Sequence, residues 1–152
     1  MKNFWILALA IICFSCNGNY IYEEKVEVPK AIWQNENPIA YEFDVEDIKS
    51  KYNLYLDVTH SDQFASQNFY TMIHTTYPSD RKVDSQISIE LANKLGQWYG
   101  KCKGGKCELR VVLQQETLFK EQGQHQIVFE QYTREAALKG VEAMAFSVEK
   151  VN

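Results

Sequence analysis

Apolar and polar residues alternate with a period of two along most of this chain. Ile39, Tyr41, Phe43 and Val45 alternate with Ala40, Glu42 and Asp44, and Tyr52, Leu54, Leu56 and Val58 alternate with Asn53, Tyr55, Asp57 and Thr59. Successive side chains of a strand point to opposite faces, so each run predicts a strand with one buried face. Similar runs predict strands over 68–77, 86–91, 107–114, 124–132 and 143–150, with an extended segment over 20–28 that Pro29 ends. About eight short, half-buried strands with little helix predict an all-β fold, an antiparallel β-sandwich of jelly-roll or immunoglobulin-like type. One short helix is expected before the last strand, over 133–140, where Thr133 can cap the start and Gly140 can take the left-handed position at the end.

The N-terminus departs from this pattern. Met1-Lys2-Asn3 leads into nine apolar residues, Phe4 to Ile12. As a helix these cover roughly 14 Å, about half a bilayer's hydrocarbon, so a signal peptide is expected rather than a membrane span. The tract ends at Ser15-Cys16-Asn17-Gly18-Asn19, a small residue before a cysteine and a polar turn-forming run after it. This is similar to a lipobox, in which the cysteine takes a diacylglyceryl group and the leader is cut in front of it. Cys13 stands where such boxes usually carry Leu, and Ile12 before it is too bulky for Cys13 itself to be the cleavage site. The expected organisation is a removed leader over 1–15, a lipidated Cys16 with a spacer over 16–20, and a single domain over 21–152.

The leader takes only Lys2 among charged residues, so the 16 basic and 20 acidic side chains become 15 and 20, a balance of −5. That sign argues against a nucleic-acid partner. Secretion also decides how the cysteines read, because Cys102 and Cys107 are the two left and an oxidising compartment favours their pairing. Gly104-Gly105 between them is a two-residue hairpin turn signal. It sets Lys103 against Lys106 and Cys102 against Cys107 in a close pair, about 4.5 Å apart at Cα. A disulfide closing so short a loop contributes only about 2 kcal/mol by chain entropy.

Little else in the chain points to chemistry. His60, His74 and His125 are scattered singly without metal-ligand spacing, and four residues between Cys102 and Cys107 is not a CxxC redox or zinc spacing, so no metal or cofactor is expected. Serines such as Ser61, Ser66 and Ser79 lack a nucleophile motif, and the acidic group Asp44, Glu46 and Asp47 reads as a solvated strand end. No catalytic residue is expected. Tyr55 and Tyr70 fall on the opposite register from their apolar neighbours. Either a further layer covers these rings, or an outer face carries them exposed as a candidate binding face.

Several short motifs in fixed order resemble the gliding-motility lipoproteins of the GldH type. They are Cys16 with Tyr22-Glu23-Glu24, then Trp33, Tyr41-Glu42-Phe43, Tyr52-Asn53-Leu54-Tyr55-Leu56 and Gly96-Gln97-Trp98-Tyr99-Gly100. Residues 123–131 and Gly140-Val141-Glu142 continue the likeness, which covers nearly the whole mature chain. The resemblance implies a non-catalytic cell-envelope protein of Bacteroidota, held at a membrane by lipid on Cys16. It implies work among other envelope or gliding-machinery proteins, linked to an outer-membrane protein secretion system. The outer membrane's periplasmic face is expected rather than the cell surface, and a polysaccharide-binding surface lipoprotein is the alternative. Cys102, Cys107 and the stretch Gln131-Tyr132-Thr133-Arg134 depart from the family pattern.

Overall fold

The computed structural model describes residues 18–152; Cys16 and the leader lie outside the described residues. Eleven strands follow in order: β1 (Tyr20–Glu27), β2 (Ile32–Gln34), β3 (Ile39–Val45), β4 (Lys51–Ser61), β5 (Asn68–Thr76), β6 (Lys82–Glu90), β7 (Lys101–Lys103), β8 (Lys106–Leu118), β9 (Gly123–Gln131), β10 (Ala137–Lys139) and β11 (Val141–Lys150). One sheet has the order β1-β11-β4-β8-β7, a second β3-β9-β5-β6, and β2 and β10 form a small third.

The pairings are nested. β5 pairs with β6, β4 with β8, β3 with β9 and β1 with β11, all antiparallel. The chain is therefore one long hairpin bent at β5–β6 and rolled so that its arms enter the two sheets in turn. This is the jelly-roll arrangement, which decides between the two sandwich types expected.

The period-two stripes face each other across the sandwich. β3 buries Ile39, Tyr41, Phe43 and Val45; β4 buries Tyr52, Leu54, Leu56, Val58 and His60; β11 buries Met144, Phe146 and Val148. Two aromatic polar groups drawn into this core find backbone partners. The Tyr41 hydroxyl donates to the Met144 carbonyl at 2.7 Å, and Trp33 Nε1 donates to the Asn37 carbonyl at 3.0 Å. Among the described residues the buried cluster runs from Val28 to Val148.

The expected helix over 133–140 does not form. Residues 133–136 are bends, Ala137–Lys139 is β10, and Leu138 stands opposite Trp33 of β2. Eight residues make a marginal helix at best, whereas pairing with β2 satisfies the same backbone and covers Trp33, which is 1% exposed. The helical element that does occur is a 3-10 turn at Pro29–Ala31. Gly140 has φ +99° as the turn from β10 into β11, not as a helix cap.

A Cβ on Gly140 would lie 2.8 Å from Phe64 Cδ2, and the positive φ strains any other residue there. Gly140→Ala is expected to lower stability by about 1–3 kcal/mol, read as a fall in the urea midpoint with an unchanged m-value.

Candidate functional site

Residues singled out in the sequence are dispersed over the fold. Cys102 and Cys107 stand opposite each other in the β7–β8 hairpin with Cα atoms 3.9 Å apart, and Gly104 and Gly105 take φ +62° and +83° at its turn. Lys103 faces Lys106, as the two-residue turn dictates. His60 and His125 are buried singly and far apart in register, one opposite Cys107 and the other opposite Phe43. Among the described residues no group of three or more His, Cys, Asp or Glu is placed to hold a metal ion. Asp47 is tied down rather than free: it accepts from the Lys49 backbone, the Ser50 hydroxyl and Lys150 Nζ. The Ser50 bond first, then Lys150, holds its carboxyl well below the usual range.

Tyr55 and Tyr70 do not share a face, which corrects the expectation of one aromatic surface. Tyr55 lies on the outer side of the five-stranded sheet and Tyr70 on the outer side of the four-stranded one. Strand alternation put both rings outward but could not say that β4 and β5 belong to different sheets. Tyr55 is also engaged. Its hydroxyl donates to Glu149 Oε2 at 2.9 Å, and the Arg110 guanidinium sits 4.8 Å from its ring centre. Arg110 in turn grips Asp57 through Nε and Nη2, both at 2.7 Å, and donates from Nη1 to the Tyr20 hydroxyl at 2.9 Å.

Tyr70 is 46% exposed and has a companion that sequence reading missed, Tyr132, at 49%. The Tyr132 amide donates to the Tyr70 carbonyl at 3.1 Å, one step beyond the β5–β9 ladder. Gln131, the last residue of β9, turns inward and is 2% exposed. Its Nε2 donates to the Glu135 carbonyl at 2.7 Å, and its Oε1 accepts the Thr133 amide at 2.9 Å. A buried amide thus pins residues 132–135 in place. The two tyrosines border an open groove of about 920 Å³, floored by Phe64, Phe69 and Leu138 and rimmed by Arg134 and Lys139. Amphipathic rings beside a guanidinium suit the grip of a peptide or a sugar ring.

The groove sits at one end of the sandwich, by the end of β4 and the start of β5. β1 begins at the other end, where Lys150 donates its amide to the Asn19 carbonyl at 2.8 Å. The profile of the family described as GldH lipoprotein matches residues 20–148, the span from β1 to β11. The chain belongs to the GldH lipoprotein family. A relative, the gliding motility lipoprotein GldH of Flavobacterium johnsoniae, is 26% identical over 159 residues, covering 99% of this chain and 98% of the relative. Among solved structures, that of infectious bursal disease virus Gx strain aligns with 88% of this chain and 28% of its own at 10% identity, with a TM-score of 0.28. That value is too low to bear on the fold.

On the same outer face, His74 lies between two carboxylates, Nδ1 at 2.8 Å from Asp84 and Nε2 at 2.7 Å from Glu130. The Glu130 bond, then the Asp84 bond, raises its pKa above the ordinary 6.5. A raised folded-state pKa contributes stability in full below the unfolded value and loses it as pH rises through the folded one. We expect the His74 ring signals to titrate above 6.5 by NMR, and His74→Gln to abolish that part of the stability change on going from pH 6 to pH 8.

Proposed function

We propose that this chain is a lipid-anchored envelope protein that supports gliding motility and its associated secretion machinery by holding partner proteins, without catalysis. The observation that carries the reading is the position of the groove. Tyr70 and Tyr132 stand at the end opposite Asn19, and only Asn17 and Gly18 separate Asn19 from Cys16. A lipid on Cys16 would hold the near end of the sandwich within about 10 Å of a bilayer, because an extended chain spans roughly 3.5 Å per residue. The groove would then project away from the membrane, towards soluble parts of a complex.

Membership of a family called lipoprotein supports the anchor, and the gliding-motility name of the F. johnsoniae relative supports the cellular role. The outer membrane is the proposed site, with the domain on its periplasmic face. Cys102 and Cys107 form a disulfide in this reading, which locks the β7–β8 hairpin in an oxidising compartment. A second reading, a surface protein that binds polysaccharide, is favoured by the same exposed tyrosine pair.

Mass spectrometry of the mature protein checks the anchor and the disulfide together. The expected N-terminus is a diacylated Cys16, with the remaining chain lighter by two thiol hydrogens. An unmodified Cys16, or cleavage elsewhere, would overturn the anchor. Pull-down from detergent-solubilised envelopes checks the partner role. Tyr132→Ser is expected to weaken capture by about thirtyfold, the effect of losing a central aromatic anchor of about 2 kcal/mol. Specific glycan binding by the soluble domain, with no protein partner captured, would replace this reading by the second one.

A further inference from the structure

β6 is a free edge of the four-stranded sheet, paired with β5 and with no other strand. Its register runs without a shift from Lys82 to Glu90. Two bonds bracket that ladder: the Tyr77 amide donates to the Arg81 carbonyl at 2.9 Å, and the Leu91 amide to the Gln67 carbonyl at 2.8 Å. Bonded pairs alternate with unbonded ones in an antiparallel ladder, so Val83, Ser85, Ile87 and Ile89 direct their main-chain groups at β5. The N–H and C=O groups of Lys82, Asp84, Gln86 and Ser88 therefore point out of the sheet, where no described residue bonds them.

Free edges are ordinarily blunted by bulges, proline or short length. The free part of β8 is protected in this way, since its register against β4 shifts around Leu54 and Glu116 takes φ +46°. β6 has no such irregularity, and Lys82 to Gln86 are all exposed. Its inward row is uncovered as well. Val83, 42% exposed, exposed Ser85 and half-buried Ile87 share a face with buried Ile89. Beyond Ser85 and Ile87 the sandwich is open towards β8, as an apolar cleft of about 370 Å³ that Ile73, Leu113 and Ile127 also line.

An extended polypeptide laid along β6 meets both demands. Its main chain takes the outward N–H and C=O groups, and every second side chain, set close to Val83, Ser85 and Ile87 in the unbonded pairs, enters the cleft. Lipids and sugars carry no amides at that repeat. Charge narrows the choice further, because like charges opposite each other on an edge repel. Lys82, and Lys120 at the border of the cleft, have no ion-pair partner among the described residues. In an antiparallel segment the residue that meets Lys82 is at the C-terminal end, and an acid suits it.

A second copy of this chain fits poorly. Lys82 lies towards the end that carries Asn19, through its neighbours Thr76, Gln126 and Glu42 across the sheet. Two copies paired antiparallel along β6 would hold their Asn19 ends at opposite ends of the pair, away from one common bilayer. A partner strand meets no such conflict. It is also continuous with the tyrosine groove, which Gln86 lines and where Ser88 stands opposite Tyr70.

We propose that β6 is the docking edge for a partner protein, which adds an extended antiparallel segment with alternate apolar residues and an acidic residue at its C-terminal end, against Lys82. Strand addition rests on the partner-holding role above and gives that role its mode.

Photo-crosslinking in intact cells of the native host tests this, with the full chain carrying p-benzoylphenylalanine in place of Lys82 or of Gln86. The two crosslinks are expected on one segment of one protein, about four residues apart and in reversed order, with an acid at the end that meets position 82. Gln86→Pro removes an outward N–H and leaves the ladder to β5 intact. The melting temperature should hold while capture in the envelope pull-down falls about tenfold or more, and Gln86→Ala should capture as the wild type does. If Gln86→Pro does not fold, the order of the crosslinks decides alone. Scattered crosslinks, crosslinks in parallel order, a segment without the acidic end, or crosslinking to a second copy of this chain would overturn strand addition. Loss of capture with Tyr132→Ser but not with Gln86→Pro would overturn it too while leaving the partner role standing, and capture of no protein at all would overturn both.

Discussion

The fold depends on β11. It is the last strand of the chain and lies between β1 and β4, so the five-stranded sheet has no continuity until residues 141–150 are in place. Its inner side chains Met144, Phe146 and Val148 are fully buried, and Phe146 alone meets Tyr22, Tyr41, Phe43 and Phe129 within 6.1 Å. A slip of one residue would turn this row outward, so burial fixes the register on both sides at once. The same strand sets the geometry of attachment. Because β1 pairs with β11, the chain's first described residues and its last ones meet at one end, with Asn19 Nδ2 donating to Asn152 Oδ1 at 3.0 Å. A pull on the N-terminus therefore acts first on the edge strand β1 and is resisted by its ladder to β11.

How far the sequence was legible follows from which physical signal each part carries. The rows Ile39 to Val45 and Tyr52 to Val58 were readable because both sheets bury one face, and alternation is the direct record of that burial. β6 was expected to begin at 86, yet it starts at Lys82, because Val83 and Ser85 face inward without being covered and their composition carries no stripe. β8 continues past 114 to Leu118 for the same reason, through polar Gln115 and Glu116. Strands of three residues such as β2 and β10 are too short for any period, and the capping signals at Thr133 and Gly140 belong to turns that use the same residues. Thr133 does make local backbone bonds, with its hydroxyl 3.3 Å from the Glu135 amide, but across a bend rather than a first helical turn.

The candidate groove was half legible. Tyr70 stood out because it breaks the apolar register of β5, while Tyr132 sits one residue past β9, where alternation ceases to mean anything. What joins them is Gln131, a buried amide whose role can be seen only once its two bonds to residues 133 and 135 are in place. The separation of Tyr55 from Tyr70 is likewise topological: consecutive strands β4 and β5 enter different sheets, and no local feature of residues 62–67 announces the crossing.

Leaving one side of the sandwich open has a cost that the edge strands manage. Long unpaired edges invite pairing with another chain, and charged side chains blunt that tendency. β6 carries Lys82 and Asp84 and β8 carries Arg110 and Glu116, so both edges present charged side chains.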